Sequence, residues 1–403
     1  MLTPQQLLRA IAPITHDIVT QQYRLLNEDL MPALSREGIR FIRRDNWTDA
    51  QREWLKSYFE AQVEPTLSPI SLDPARPFPR ILNKSLNFIV GLEGIHAFSR
   101  PCKRAIVQAP RSLPRLTRLP SQLAGPAEND FVFLSSIIHA FVDTLFTGME
   151  ITGCYQFRVT RNSNLYVDEE EMENLMRALE GQLAASRYGA AVRLEVAHSC
   201  PDELTRYLLD VFELDEDDMY LADGPVNLNR MMTVYSESER SDLKYPPFTS
   251  GVQKCLRNNS DIFSLLQSQD VLLHHPFDSF GTVLELIKAS AKDPAVVAIK
   301  MTLYRTTLDS KIMNYLIEAA SAGKEVTVLV ELRARFDEAA NISLANRLQE
   351  AGAHVVYGIV GFKTHCKLTL IVRQEQRQLT RYVHLGTGNY HPETARTYTD
   401  YGL

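Results

Sequence analysis

The stretch VVAIKMTLYRTTLDSKIMNYLIEAASAGKEVTVLVELRAR, residues 296–335, decides the fold. It opens on an apolar run from Val296 to Lys300, crosses a polar segment, takes helical spacing from Ser310 to Ala322, and returns to an apolar run from Val326 to Glu331. Strand, helix, strand at this spacing is a βαβ unit, because two parallel strands need a crossover of a dozen or more residues between them. The runs VVAI and VTVLV are unbroken rather than alternating, which predicts strands buried on both faces of a mainly parallel sheet. The same rhythm continues outward. Upstream lie a strand at Val271 to Leu273 and a helix at Gly281 to Lys292; downstream lie a helix at Glu338 to Ala351 and a strand at His354 to Tyr357. Lys367 to Val372 and Tyr382 to Leu385, separated by the polar RQEQRQLTR, read as a hairpin. The span 261–403 is therefore expected to be an α/β domain, left incomplete at Leu403.

Upstream, the polar, proline-bearing SESERSDLKYPPFTS, Ser236 to Ser250, marks a boundary. Before it, residues 37–260 predict a mixed α+β middle domain. Its strands are expected at Phe88 to Leu92, Ala105 to Gln108, Tyr155 to Thr160 and Ala191 to Val196, and its helices at Asp130 to Phe146 and Asp168 to Arg187. EPTLSPISLDPARPFP, Glu64 to Pro79, reads as an ordered connection, since each proline removes a donor and disfavours helix in the residue before it. Residues 1–36 place Leu7, Leu8, Ile11, Ile14, Ile18, Tyr23 and Leu26 at helical spacing, an amphipathic segment too short to be a domain by itself.

A chain of 403 residues with 45% hydrophobic and 23% charged residues is long enough for two or three globular domains. The formal net charge of -6 argues against a surface built to attract nucleic acid, so any polyanion needs a local basic site. Five scattered cysteines without a CxxC pair give neither a disulfide framework nor a structural zinc site. The first residues lack the features of a secretory signal, and no apolar run is long enough to span a bilayer; a cytoplasmic location is expected.

In open parallel sheets, ligands bind beyond the carboxyl ends of the strands. HHPFDSF, KMTLYRTT, ELRARFDEAAN and GFKTHCK fall at such ends and are expected to bring together His274, His275, Lys300, Arg305, Arg333, Arg335, Lys363, His365 and Lys367. Arginine suits phosphate through its permanently charged donor fork, although any one arginine is more often paired with a neighbouring acid, as Asp309 or Asp337 would allow here. His354 and His384 read as surface or packing residues. HCK at 365–367 before one strand, with GTGN at 386–389 after the next, resembles the phospholipase D superfamily, in which a histidine attacks phosphorus. An imidazole held in one tautomer is a capable nucleophile, and Lys367 and Asn389 could donate to phosphoryl oxygens. Where that superfamily has an aspartate, five residues after Lys367, this chain has Val372, which weighs against phosphodiester hydrolysis.

FRVTRNSNLYVDEEE (157–171), HHPFDSF, IKMTLYRT, VELRARFDEAANI, KTHCKLTLIVR, and HLGTGN followed by ARTYTDYGL resemble, in the same order, polyphosphate kinases of the first family. The resemblance runs from about Tyr58 to the last residue. It implies a phospholipase D-like α/β domain preceded by the α+β middle domain and a remnant of a helical N-terminal domain. It implies reversible transfer of the terminal phosphate of ATP to inorganic polyphosphate, with His365 as the residue phosphorylated. Arg305 and Arg335 match a family magnesium site; arginine cannot ligate a cation, so they are expected to hold phosphate oxygens of magnesium-bound nucleotide. Tyr398 matches a nucleotide-contacting tyrosine. The family carries further domains at both ends, so this chain is expected to be truncated and poorly active, and the longer enzyme a homo-oligomer. A phosphodiesterase and a noncatalytic polyphosphate-binding module remain the alternatives.

Overall fold

The computed structural model describes residues 2–73, 77–94, 103–125, 129–162, 189–257, 261–303, 310–331, 338–358 and 364–403. The chain forms two compact units that meet in sequence at Tyr245 and Pro246. The helix expected at Asp168 to Arg187 lies outside the described residues.

The first unit holds a six-stranded sheet in the order Pro69–Ser71, Arg104–Gln108, Asn87–Glu93, Glu150–Arg161, Ala191–Ala197, Met219–Ala222, and a three-stranded sheet of Ile39–Phe41, Asn129–Phe133 and Leu116–Arg118. One core contains Leu55, Phe59, Phe88 and Ile137; a second gathers Ile89, Ile106, Phe157 and Leu208. The helix Pro4–Arg24 starts at a capping box between Thr3 and Gln6, which satisfies amides the first turn cannot pair. The apolar repeat matches the buried face only at its end, at Tyr23 and Leu26. Leu7, Leu8, Ile11, Ile14 and Ile18 are exposed, while Val19, Tyr23 and Leu26 enter the core and His16 stacks on Tyr220 at 4.2 Å.

The expected helix at Asp130 to Phe146 divides into the strand Asn129–Phe133 and the shorter helix Leu134–Phe141. The reason is polar. The Asp130 carboxylate accepts from Arg40 Nε at 2.7 Å and from the Gly125 amide at 2.7 Å, pinning this residue between two strands.

In the second unit the sheet strands and the helices between them are β1 (Leu273–His275), α1 (Gly281–Lys292), β2 (Val296–Leu303), α2 (Lys311–Ser321), β3 (Glu325–Val330), α3 (Glu338–Glu350), β4 (His354–Tyr357), β5 (Lys367–Glu375), β6 (Gln378–Gly386) and β7 (Asp400–Gly402), preceded by short helices at Lys254–Arg257 and Ile262–Ser268. The strands form one seven-stranded sheet in the order β1-β7-β6-β5-β2-β3-β4. Only β2-β3 and β3-β4 pair in parallel; the other four pairings are antiparallel. The sheet is thus mixed, not mainly parallel. Its burial alternates accordingly: Ile299, Met301, Val326, Val328 and Val330 pack against Ile287, Ile312, Leu316 and Leu348, whereas Lys300 on the other face and Val297, at the shift in register with β5, are exposed.

The hairpin β5-β6 absorbs nearly all of RQEQRQLTR. Glu375 holds it, accepting from Arg373 at 2.8 Å, Thr380 at 2.9 Å and Tyr382 at 2.5 Å, so cross-strand polar bonds replace the apolar pattern. The first strand lies two residues later than expected, because its register is set by pairing with β7, Leu273 opposite Gly402. No helix among the described residues is long and apolar enough to cross a membrane.

Candidate functional site

Strands β2, β3 and β4 run towards one edge of the sheet. Strand β5 starts at that edge and β6 ends at it, Lys367 opposite Gly386. The chain leaving β2, β3, β4 and β6 and the chain entering β5 therefore share one rim, where an open α/β sheet presents its ligand site. Arg305, Arg333, Arg335 and Lys363 belong to segments outside the described residues.

His365 lies just before β5 and is exposed. Lys367, 4% exposed, donates from Nζ to the His365 carbonyl at 2.6 Å and lies 3.1 Å from His365 Nδ1. An ammonium has no acceptor, so in this contact Nδ1 accepts and a neutral ring carries its proton on Nε2. Burial lowers the Lys367 pKa, opposed by Cys366 and Asp400. The backbone beside His365 is held by Glu331, the residue after β3: the Thr364 amide donates to Glu331 Oε2 at 2.7 Å, and buried Asn341 donates to the Glu331 carbonyl at 2.9 Å.

Behind the rim runs a buried chain of polar groups. Thr369 Oγ1 donates to Tyr390 Oη at 2.9 Å, leaving the tyrosine proton for His384 Nδ1 at 2.7 Å. His384 is 7% exposed, and its Nε2 is buried without a hydrogen-bond partner. Burial, reinforced by nearby His275, pushes the His384 pKa down to about 4. Reading His384 as a packing residue thus captures its burial and misses the hydroxyl relay it terminates. A Cβ on Gly402 would come within 2.8 Å of His384 Nε2, so glycine is what lets the strand pass that ring, while His275 Nε2 at 3.6 Å would be in ordinary contact.

The remaining expected residues spread along this sheet. His275 is buried with Nδ1 2.7 Å from the Asp278 carbonyl, and His274 stacks on Tyr401 at 4.7 Å. Lys300 lies within β2 opposite Leu370 and is exposed, so it is a mid-strand residue and not part of a strand-end loop. Asn389 is half-buried with Oδ1 enclosed and unpartnered, an acceptor left over in the GTGN loop. In the same loop Thr387 Oγ1 donates to Asp400 Oδ1 at 2.8 Å. Tyr398 is 63% exposed, two residues before β7. Glu331, Thr369, Tyr390 and Asp400 escaped the sequence reading because their neighbours in space are distant in sequence; Glu331 alone carried a signal, as an acid at the end of an apolar strand.

Among the described residues no group of three His, Cys, Asp or Glu side chains could hold a metal ion. The rim offers an imidazole, a buried ammonium and polar loop groups, a set suited to anionic oxygens.

Comparison with known proteins follows the two units. Family models for the polyphosphate kinase middle domain and for polyphosphate kinase C-terminal domain 1 match residues 50–234 and 261–403. The chain is 53% identical over 402 residues to a polyphosphate kinase of Pseudomonas aeruginosa and 52% identical over 400 residues to one of Neisseria meningitidis. All or nearly all of this chain is covered, but only 58% of each of those proteins. The crystal structure of polyphosphate kinase from Porphyromonas gingivalis superposes with a TM-score of 0.78 at 25% identity, over 98% of this chain and 57% of that one.

Proposed function

The chain belongs to the polyphosphate kinase family, and from that premise we propose that His365 accepts the terminal phosphate of ATP and passes it to inorganic polyphosphate. The observation that carries the reading is the buried Lys367 ammonium lying against an exposed histidine at the sheet rim. In the first step an N–P bond forms at the imidazole as the bond from the γ-phosphorus to the bridging oxygen breaks, and ADP leaves. In the second, a terminal oxygen of the polymer attacks that phosphorus and the N–P bond breaks, which restores the imidazole and lengthens the chain by one phosphate. Run backwards, the two steps make ATP.

Lys367 stabilises the charge on the phosphoryl oxygens, for which it gives up its contact with Nδ1 as ligand enters. Asn389, Tyr398, Arg305 and Arg335 hold nucleotide and phosphate oxygens. Magnesium arrives as part of the substrate, on ATP, since Mg²⁺ is commonly held through substrate phosphates. The partners are ATP, ADP and polyphosphate, with no role for nucleic acid. The longer enzyme is a homo-oligomer, and the reaction belongs to the cytoplasm, where ATP is abundant.

Polymer synthesis by a chain extended to the length of its relatives tests the reading. His365→Ala abolishes it, because no covalent intermediate can form. Lys367→Met, which removes one donor, lowers the rate by about 10²–10³. Synthesis that survives His365→Ala at the unsubstituted rate would exclude the mechanism.

A further inference from the structure

A narrow pocket in the first unit is lined by Arg115, Phe133, Ser135, Gln156, Asn227 and Arg230, together with apolar neighbours. Its volume is about 30 Å³, room for roughly two water-sized groups. Three features of its wall bear on a ligand: two polar atoms have no hydrogen-bond partner, and a helix begins beside them.

The first is Arg115. Its Nη1 is buried with no hydrogen-bond partner, and the charged groups that act on it, Arg230 and Arg111, are cations like itself. Burial and those two neighbours pull its pKa down. A guanidinium cannot escape this cost by deprotonating at ordinary pH, so an anion is the group that relieves it. The second is the helix Leu134–Phe141, which begins at this wall. Its N-cap residue, Phe133, supplies no side-chain cap, and its first turn carries no acidic residue. The Leu134 amide donates to the Arg115 carbonyl at 3.0 Å, and the amides that follow it in the first turn, with the positive end of the helix dipole, face an anion without a side-chain cap to compete for them. The third has the opposite polarity. Gln156 donates from Nε2 to the Gly224 carbonyl at 2.9 Å, which leaves Oε1 buried with no donor to meet it.

Arg115, Arg230 and the helix start call for anionic oxygens, whereas Gln156 calls for a hydroxyl. Hydrogen phosphate carries both on one tetrahedral centre. We propose that this pocket binds a hydrogen-phosphate group, either free phosphate or the terminal group of a phosphate chain. The pocket admits one such group end-on and has no room for a nucleotide base. The site rests on residues of the first unit alone and stands independently of the role given to His365.

Isothermal titration of the 403-residue chain with phosphate, sulfate and tripolyphosphate tests it. Phosphate should saturate a single site that responds to Arg115, and sulfate, which has no proton at neutral pH, should bind there at least about tenfold more weakly. Arg115→Met should weaken phosphate by about thirtyfold or more. Arg230→Ala, at an exposed position whose truncation leaves the core intact, should weaken it by about tenfold and keeps the test open if Arg115→Met does not fold. Tighter binding of phosphate than of tripolyphosphate assigns free phosphate, and the reverse order assigns the chain end; either supports the site. No saturable phosphate binding at millimolar concentration, binding unchanged in the arginine variants, or sulfate bound as tightly as phosphate would overturn it.

Discussion

His384 shows how a single buried residue sets a pH dependence. Its pKa of about 4 lies well below the 6.5 of an ordinary histidine. Between those values the unfolded chain binds a proton that the folded chain refuses, so stability is full above the unfolded value and falls as pH drops towards the folded one. The loss amounts to up to about 3 kcal/mol, from 1.36 kcal/mol per pH unit. Urea unfolding at pH 7 and pH 4 should show a smaller drop in His384→Asn than in the unsubstituted chain; an equal drop would mean that His384 does not titrate in this way. Tyr390 bridges the same histidine to Thr369, so Tyr390→Phe strands two buried polar groups and should cost about 2 kcal/mol in the same assay. Little of this could be read in advance. His365 and Lys367 announce themselves because they are two residues apart at the entry to β5, whereas His384, Tyr390 and Thr369 meet only through the pairing of β5 with β6 and the turn that follows.

At the scale of elements, local chemistry was readable wherever helical periodicity and chain punctuation agreed. The helix α1 and the strand β4 have the bounds that the sequence suggests, 281–292 and 354–357. Errors fell where a long-range partner decides. Asp130 carries an apolar segment into a strand through Arg40, and Glu375 turns a polar linker into hairpin through three donors. The open face of the second sheet was also missed: apolar runs such as VVAI look alike whether one face or both are covered, and Lys300, next along the same strand, proved exposed. Strand β7 supplies a test. Gly402→Ala would drive a methyl group against His384 Nε2, 2.8 Å from the added Cβ, and should destabilise the second unit by about 1–3 kcal/mol through overpacking. A thermal melt that does not shift would mean that β7 gives way without strain.

On the scale of the molecule, the order of motifs along the chain carried more information than any one of them. HxK alone is a short pattern, but seven segments in a fixed order pointed to one family, and two family models and relatives at 52–53% identity agree with it. The chain spans 58% of the length of those relatives, so its own catalytic competence is a separate question from the identity of its nucleophile. We expect the 403-residue chain to be labelled more faintly by γ-labelled ATP than a chain of the relatives' full length, because any nucleotide contact made outside this span would be lost and positioning is worth several kcal/mol. The chemistry itself is best tested in a chain of the relatives' full length, by mapping the phosphorylated peptide after exposure to γ-labelled ATP. The phosphate should be acid-labile and base-stable and lie on His365. It should vanish in His365→Ala and persist weakly in Arg305→Ala and Arg335→Ala. Undiminished label in His365→Ala would place the nucleophile elsewhere and contradict the mechanism proposed for this rim.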